Sequence, residues 1–197
     1  MIFDFDGTLV DSAGAKRQAF FDIFPAAGSD IVEAVLRADP DGNRVRVIPR
    51  MVEGMRARGV PLDCADPAEY VARYGEISER AVSNAPELPG ASDLLRTLSA
   101  RTALHLCSNT PEETVRRHVA ARGWAAHFLS VDGYPTTKQS KIGEIVSARH
   151  LDPGRVAMVG DGISDEEAAA ANRCAFFAIR APGDLARVGR LLEGSDV

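Results

Sequence analysis

Short, continuous apolar runs alternate with helical apolar spacing in the second half of the chain. Residues 1–3 form a further apolar run that leads into two aspartates. Fully apolar runs are typical of parallel strands that are covered on both faces, and strands that alternate with helices of about 10–12 residues indicate βαβ units around a parallel sheet. The apolar runs predict strands at 102–107, near 127–131, at 156–160 and at 175–179. The helical spacing predicts helices at 91–100, from a Thr110 cap to about 122, at 139–150, from a Ser164 cap to 171, and after Gly183.

Residues 13–85 have a different pattern, with four helical segments and no clear strand. We therefore expect an α/β fold in two parts. Residues 1–12 and 86–197 form a core domain with a Rossmann-like, doubly wound parallel sheet, and 13–85 form an inserted, all-helical cap subdomain. Both crossings between the two parts contain Gly or Pro, which predicts a hinge there.

Within this insert, the segment 43–60 permits two interpretations, because Pro49 removes a helical hydrogen bond. It is either a helix interrupted at Pro49 or a helix that begins with Pro49 in its first turn. The segment is also rich in arginine. Its arginines are Arg44, Arg46, Arg50, Arg56 and Arg58. Either one or two of these side chains bind a phosphate or acidic group of a substrate, or all of them form a solvated helix face.

Composition is that of an ordinary globular protein, with 45% hydrophobic and 26% charged residues among 197. The net charge of −5 disfavours a nucleic-acid polymer or an anionic membrane as a partner. No apolar run is long enough for a membrane span, and the N-terminus lacks a secretory pattern. The three cysteines form no metal-binding pattern and indicate reduced thiols. We therefore expect a cytoplasmic protein, and the pattern leaves its oligomeric state open.

Polar side chains follow the apolar runs where strands are expected to end. Asp4 and Asp6 follow the first run, and they point to the same side because strand side chains alternate. Ligands of open parallel sheets bind beyond the carboxyl ends of the strands, so the topology predicts that the polar groups converge at one edge. The later runs are followed by Ser108, Asn109 and Thr110, by Lys138 in a loop, and by Asp161 and Asp165.

Two neighbouring carboxylates repel each other unless a cation offsets their charge. A divalent cation is the usual partner, since hard cations prefer oxygen ligands. The pair also suits catalysis in which one carboxylate acts as a nucleophile and the other transfers protons. The alternative is a solvated strand end with two exposed acids. If Asp4, Asp161 and Asp165 are charged, one lysine and one divalent cation bring the total charge to zero.

The opening run also resembles the N-terminal signature of the haloacid dehalogenase (HAD) superfamily, and three later stretches match the motifs of that superfamily in order. The run is Asp4-Phe5-Asp6-Gly7-Thr8-Leu9-Val10-Asp11-Ser12. The resemblance implies an Mg²⁺-dependent phosphatase with a small phosphorylated metabolite as substrate, similar to phosphoglycolate phosphatases. It also implies that Asp4 is the nucleophile, which becomes an aspartyl-phosphate, and that Asp6 is the general acid and base.

The resemblance implies roles for the other site residues as well. The phosphoryl group would be held by Gly7, Thr8, Ser108, Asn109 and Lys138. The metal would be held by Asp4, by the backbone carbonyl of Asp6, and by Asp161 and Asp165.

Several alternatives stay open at this point. Lys141 competes with Lys138 as the site lysine, although the loop 134–138 resembles that of the family and favours Lys138; Lys141 would then be a solvated residue in the first turn of a helix. For the whole chain, the alternatives are a phosphomutase of the beta-phosphoglucomutase type and a non-catalytic binding or regulatory module. Asp6 argues against a hydrolytic dehalogenase, and the single lysine of the insert, Lys16, gives little support to a phosphonate-cleaving enzyme.

Overall fold

The computed structural model of the protein describes residues 1–40, 42–148 and 150–193, with side chains up to residue 190. The chain divides into two compact units. We call Met1–Asp11 with Ala85–Val197 the sheet unit, and Ser12–Asn84 the helical unit. Each has a hydrophobic cluster of its own. No described helix combines the length and apolar character that crossing a bilayer requires.

The helical unit packs its helices around stacked aromatic rings. Phe20 lies on Tyr74 with ring centroids 4.2 Å apart, and Phe24 lies on Tyr70 at 4.8 Å. As the spacing predicted, all regular elements among the described residues of this unit are helical. The α-helices are α1 Ala13–Asp22, α2 Ser29–Ala38, α3 Arg44–Ala57 and α4 Pro67–Asn84.

Pro49 lies inside α3 and neither interrupts nor begins it, so both interpretations of 43–60 are wrong. The helix begins earlier because the Asn43 side chain accepts a hydrogen bond from the backbone N–H of Arg46. Proline at position 49 removes only the bond to the carbonyl of Val45, in the first turn. The rest of α3 is held by a buried apolar face of Val47, Ile48, Met51, Val52 and Met55.

The arginines of α3, and Arg58 directly after it, contact partners within the helical unit. Arg46 and Arg50 lie 2.6 and 3.3 Å from the two carboxylate oxygens of Asp39, and Arg58 pairs with Asp30. The others contact the Ala65 carbonyl (Arg56) and the ring of Tyr74 (Arg44). These contacts stabilise the surface of the helical unit, and contact of one of these arginines with a substrate stays a prediction.

The sheet unit contains a five-stranded sheet with the order β3-β2-β1-β4-β5, in which every neighbouring pair is parallel. The order runs outward in both directions from β1, which is the doubly wound arrangement. The predicted α/β Rossmann-like fold is therefore confirmed. The strands are β1 Ile2–Phe3, β2 His105–Pro111, β3 Ser130–Tyr134, β4 Ala157–Gly160 and β5 Ala175–Ala178.

Helices connect these strands and cover the sheet. Ile142 and Ile145 pack with Ala168 and Ala169 against Met158 in one buried cluster. The predicted end of the helix at 139–150 includes Arg149, which lies outside the described residues. The helices are α5 Ala91–Ser99, α6 Glu112–Ala121, α7 Lys138–Ala148, α8 Ile163–Ala171 and α9 Leu185–Glu193.

Strand β2 begins and ends later than the predicted strand at 102–107. Its second half continues to pair with β3, and Pro111 stands opposite Tyr134 after an irregularity in the register. Ser108, Asn109 and Thr110 therefore lie within the strand rather than beyond it. This correction matters for the site, because Ser108 and Thr110 are both buried while Asn109 between them is exposed.

Candidate active site

Three aspartates form an acidic cluster: Asp4 directly follows β1, Asp161 directly follows β4, and Asp165 lies in the first turn of α8. Each of Asp4, Asp161 and Asp165 offers one carboxylate oxygen, and these oxygens lie within 4.8 Å of one another. The backbone N–H of Asp4 donates to the Val159 carbonyl at 2.9 Å, so the pairing of β1 with β4 fixes this arrangement. Asp165 is completely buried and Asp4 is 6% exposed.

Lys138 is the lysine that reaches this cluster. Its Nζ lies 3.2 Å from Oδ1 of Asp4 and 2.7 Å from Oδ1 of Asp165. It is the first residue of α7 rather than part of the preceding loop, so the helix backbone sets its position.

Lys141, one turn further along α7, does not reach the acidic cluster through any contact described. Its Nζ lies 3.1 Å from Oδ1 of Asp132 and 3.2 Å from Oε1 of Glu144. The expectation of a solvated Lys141 is wrong, because this side chain is buried against the sheet. Asp132 belongs to a polar chain along the sheet, since it accepts from Ser130, whose hydroxyl also contacts His105.

Burial dominates the electrostatics of the acidic cluster. It raises the pKa of Asp4 to about 7 against the opposing attraction of Lys138, and the neighbouring charges of Asp165 and Asp6 add to the rise. Burial likewise raises the pKa of Asp161 to about 6, and it raises that of Asp165. The charged forms of these carboxylates are therefore disfavoured even with Lys138 beside them.

The ammonium of Lys138 shows the converse effect. Burial acts to lower its pKa, but attraction by Asp4 and Asp165 outweighs burial, so the pKa is raised above its ordinary value. Lys138 therefore stays charged at neutral pH.

Two glycines let backbone and carboxylates approach closely. Gly7 has φ +78°, and a Cβ there would collide with the Asp161 carboxylate. A Cβ at Gly160 would collide with Asp165 in the same way. Thr8 completes this corner, since its hydroxyl donates to Oδ1 of Asp161 at 3.1 Å.

The acidic cluster fits a divalent cation. Oδ1 of Asp4 and Oδ1 of Asp165 are buried, and both are contacted by the same single ammonium of Lys138. Buried carboxylate oxygens in this state require further compensation. An all-oxygen donor set is the one that Mg²⁺ and similar hard cations prefer.

Residues of β2 face the same site. The hydroxyl of Ser108 accepts a hydrogen bond from the backbone N–H of Thr110 at 3.1 Å. The hydroxyl of Thr110 donates to Oδ2 of Asp6 at 2.9 Å. Asn109 is exposed, and its amide donates to the Ser164 hydroxyl at 3.5 Å.

Thr110 was expected at the sheet edge with Ser108 and Asn109, but the sequence interpretation gave it no role in the chemistry, because the Thr-x-x-Glu pattern suggested a helix cap. That interpretation is wrong, since Pro111 precedes the first residue of α6 without a side-chain cap. The predicted Ser164 cap is also wrong: α8 begins at Ile163, and the backbone N–H of Gly162 donates to Oδ2 of Asp165 at 3.1 Å. The Asp165 carboxylate thus also fixes the start of α8.

Cys107 is the neighbour of Ser108 on β2 and is completely buried. Burial raises the pKa of its thiol to about 12, so the thiol is protonated and weakly nucleophilic at neutral pH.

This fold and this arrangement of aspartates and lysine define a class of hydrolase. The chain belongs to the haloacid dehalogenase-like hydrolase family, which it matches over residues 1–172. The predicted family resemblance is thereby confirmed.

Several proteins are similar to this chain. It is 30% identical over 178 residues to the tyrosine-protein kinase PtkA of Mycobacterium tuberculosis and of Mycobacterium bovis, with 87% of this chain aligned. The chain spans 58% of the length of those relatives.

Solved structures share the fold. One, from Haemophilus somnus and named as a predicted phosphoglycolate phosphatase, has a TM-score of 0.71 and 22% identity, and the match covers 91% of this chain and 84% of that one. YfnB from Bacillus subtilis, classed as a HAD hydrolase and solved with magnesium, has a TM-score of 0.68 and 18% identity, over 90% and 86% of the chains.

Proposed function

We propose that the protein is a Mg²⁺-dependent phosphatase that hydrolyses a small phosphate monoester through an aspartyl-phosphate on Asp4. The observation that carries the proposal is the ammonium of Lys138, buried between Asp4 and Asp165 inside a cluster of three carboxylates. A fixed cation beside a buried carboxylate offsets the charge that a phosphate dianion brings to its attacker. Positioning and charge neutralisation are most of what phosphoryl transfer requires.

In the first half of the reaction, a carboxylate oxygen of Asp4 attacks phosphorus. The P–O bond to the alcohol breaks, and Asp6 gives its proton to the departing oxygen. The hydroxyl of Ser108 donates to a phosphoryl oxygen; because its oxygen already accepts the N–H of Thr110, its own hydrogen is directed elsewhere. Thr8, Asn109 and the backbone at Gly7 would complete the contacts with the phosphoryl group.

In the second half, water replaces the alcohol. Asp6 has lost its proton and now accepts one from the water, whose oxygen attacks phosphorus and releases Asp4 as a carboxylate. Lys138 stays charged throughout, since its pKa is raised by the two carboxylates beside it.

Mg²⁺ would be held by Asp4, Asp161 and Asp165 together with the backbone carbonyl of Asp6. When bound, the ion supplies two positive charges that stabilise the phosphoryl oxygens. With Lys138 included, the three carboxylates and the two cations sum to zero, in line with the raised pKa of each aspartate in the metal-free protein.

The helical unit is proposed to act as a cap that selects the substrate. It has its own hydrophobic cluster, and both segments that join it to the sheet unit contain Gly or Pro. Such segments permit hinge motion. The chemistry itself is assigned to residues of the sheet unit.

The test is phosphate release from p-nitrophenyl phosphate with Mg²⁺, compared with EDTA and with Asp4→Asn. We expect activity that requires the metal and falls by at least about 1,000-fold in the variant, because a carboxamide cannot attack phosphorus. Equal rates for the two proteins would refute the mechanism.

The acceptor of the phosphoryl group needs its own measurement, because the PtkA relatives are named for phosphoryl transfer to tyrosine. A panel of phosphorylated metabolites, scored both for free phosphate and for isomerised product, separates a phosphatase from a phosphomutase. Labelled ATP with a tyrosine-containing peptide tests the kinase reaction. Transfer to sugar or tyrosine in preference to water would replace the proposed function.

A further inference from the structure

Thr110 makes a contact that the proposed mechanism does not yet use. Its hydroxyl lies 2.9 Å from Oδ2 of Asp6, and its side chain is 9% exposed, so little water competes for this bond. Thr110 and Ser108 lie two residues apart on β2 and are both buried, whereas Asn109 between them is exposed. The backbone N–H of Thr110 meanwhile donates to the Ser108 hydroxyl at 3.1 Å. One residue thus contacts both the proposed phosphate ligand and the proposed acid.

We propose that Thr110 is a positioning residue that orients the carboxyl group of Asp6 for proton transfer to the leaving group; this inference rests on the proposed function. A hydroxyl that donates to Oδ2 makes this oxygen the acceptor of the carboxylic acid. The acidic proton is then carried by Oδ1. When the P–O bond breaks, the proton passes from Oδ1 to the alcohol oxygen while Asp4 forms the new bond to phosphorus.

Two substrates distinguish this role from a structural one. p-Nitrophenolate departs without protonation, whereas the alkoxide of propyl phosphate must be protonated as it leaves. The ratio kcat/KM reports steps up to and including the first irreversible one, here the loss of the alcohol. A misoriented acid should therefore lower kcat/KM for propyl phosphate and spare that for p-nitrophenyl phosphate.

The experiment compares Thr110→Val, which keeps the shape of the side chain and removes the hydroxyl, with Thr110→Ser, which keeps the hydroxyl. General acid catalysis contributes about 10²–10⁴-fold, so partial loss in Thr110→Val should lower kcat/KM by roughly 10–100-fold for propyl phosphate and less than about 3-fold for p-nitrophenyl phosphate. Thr110→Ser should restore the wild-type ratio. Thr114→Val on α6 is the matched control; its hydroxyl contacts Arg117 outside the site.

The ratio of the two substrates within one preparation does not depend on how much of the protein is folded, so partial misfolding of Thr110→Val cannot mimic the result. Equal losses on both substrates, or no loss on either, would overturn the inference while the proposed function stands. A wild-type protein without phosphatase activity on any ester would overturn both.

Discussion

Replacing Lys138 by methionine should lower the catalytic rate far more than the same replacement of Lys141, the other lysine of α7. The change removes one charge and keeps the length of the side chain. At 3.2 and 2.7 Å from the two carboxylates, and with an effective dielectric constant near 20, each lost attraction is worth about 5–6 kcal/mol before desolvation is subtracted. Desolvation offsets much of that sum, and removal of one partner from a buried pair typically costs about 3–5 kcal/mol.

Only the part of this energy that grows in the transition state affects the rate. Preorganised charges of this kind contribute about 2.7–4 kcal/mol, which corresponds to roughly 10²–10³-fold. We therefore expect kcat/KM of Lys138→Met on p-nitrophenyl phosphate to fall by that factor. Lys141→Met is the matched control, because Lys141 contacts Asp132 and Glu144 instead; its kcat/KM should change by less than about 5-fold, although its melting temperature should also fall.

A second measurement isolates the charge effect from loss of structure. Without Lys138 the acidic cluster is more negative, so Lys138→Met should bind Mg²⁺ more tightly than the wild type at pH 8, as measured by calorimetry, while being less active. A variant that was merely misfolded would bind the metal more weakly. Similar rate losses for the two lysine variants, or an active Lys138→Met, would refute the assignment of Lys138.

Three further predictions concern the site and the helical unit. Burial raises the pKa of Asp4 to about 7 and that of Asp161 to about 6, above the ordinary value of 3.8, so the metal-free protein should lose stability as pH rises from about 4 to about 7. The melting-temperature gain from Mg²⁺ should be larger at pH 8 than at pH 5, and an equal gain would contradict this. Gly7→Ala should lower both activity and melting temperature, since φ is +78° and the methyl group meets Asp161; a neutral result in both assays would refute the close approach. Replacing 13–84 by a short linker should leave hydrolysis of p-nitrophenyl phosphate intact and abolish discrimination among metabolites; unchanged preference would exclude the cap role.

The architecture of the sheet unit was predictable because apolar runs and helical spacing determine a parallel sheet, and the topology of such a sheet brings strand ends together. Asp4 and Asp161, far apart in sequence, could be expected to meet for that reason. The spacing also predicted the all-helical insert, but not α3 across Pro49. There, the Asn43 cap and a buried apolar face outweigh one lost hydrogen bond.

The roles of individual side chains were harder to predict from the sequence, because one residue type can make several kinds of contact. A threonine before Pro-Glu-Glu is equally compatible with a helix cap and with a hydrogen bond to an acid 104 positions away. Lys141 has the spacing of an exposed residue in a first helical turn, and its burial depends on Asp132 in a different strand. Such choices are decided by tertiary contacts, which local patterns do not encode.

The buried thiol of Cys107 offers a way to follow opening of the site without any substrate. It lies in β2 beside the lysine and aspartate of the site, fully covered, whereas Cys64 and Cys174 are partly exposed. An alkylating reagent should modify those two first and reach Cys107 only when the sheet separates locally. The slow phase of labelling would therefore report local opening of β2 next to the proposed nucleophile, Asp4. Bound Mg²⁺ should lengthen the half-time of this phase.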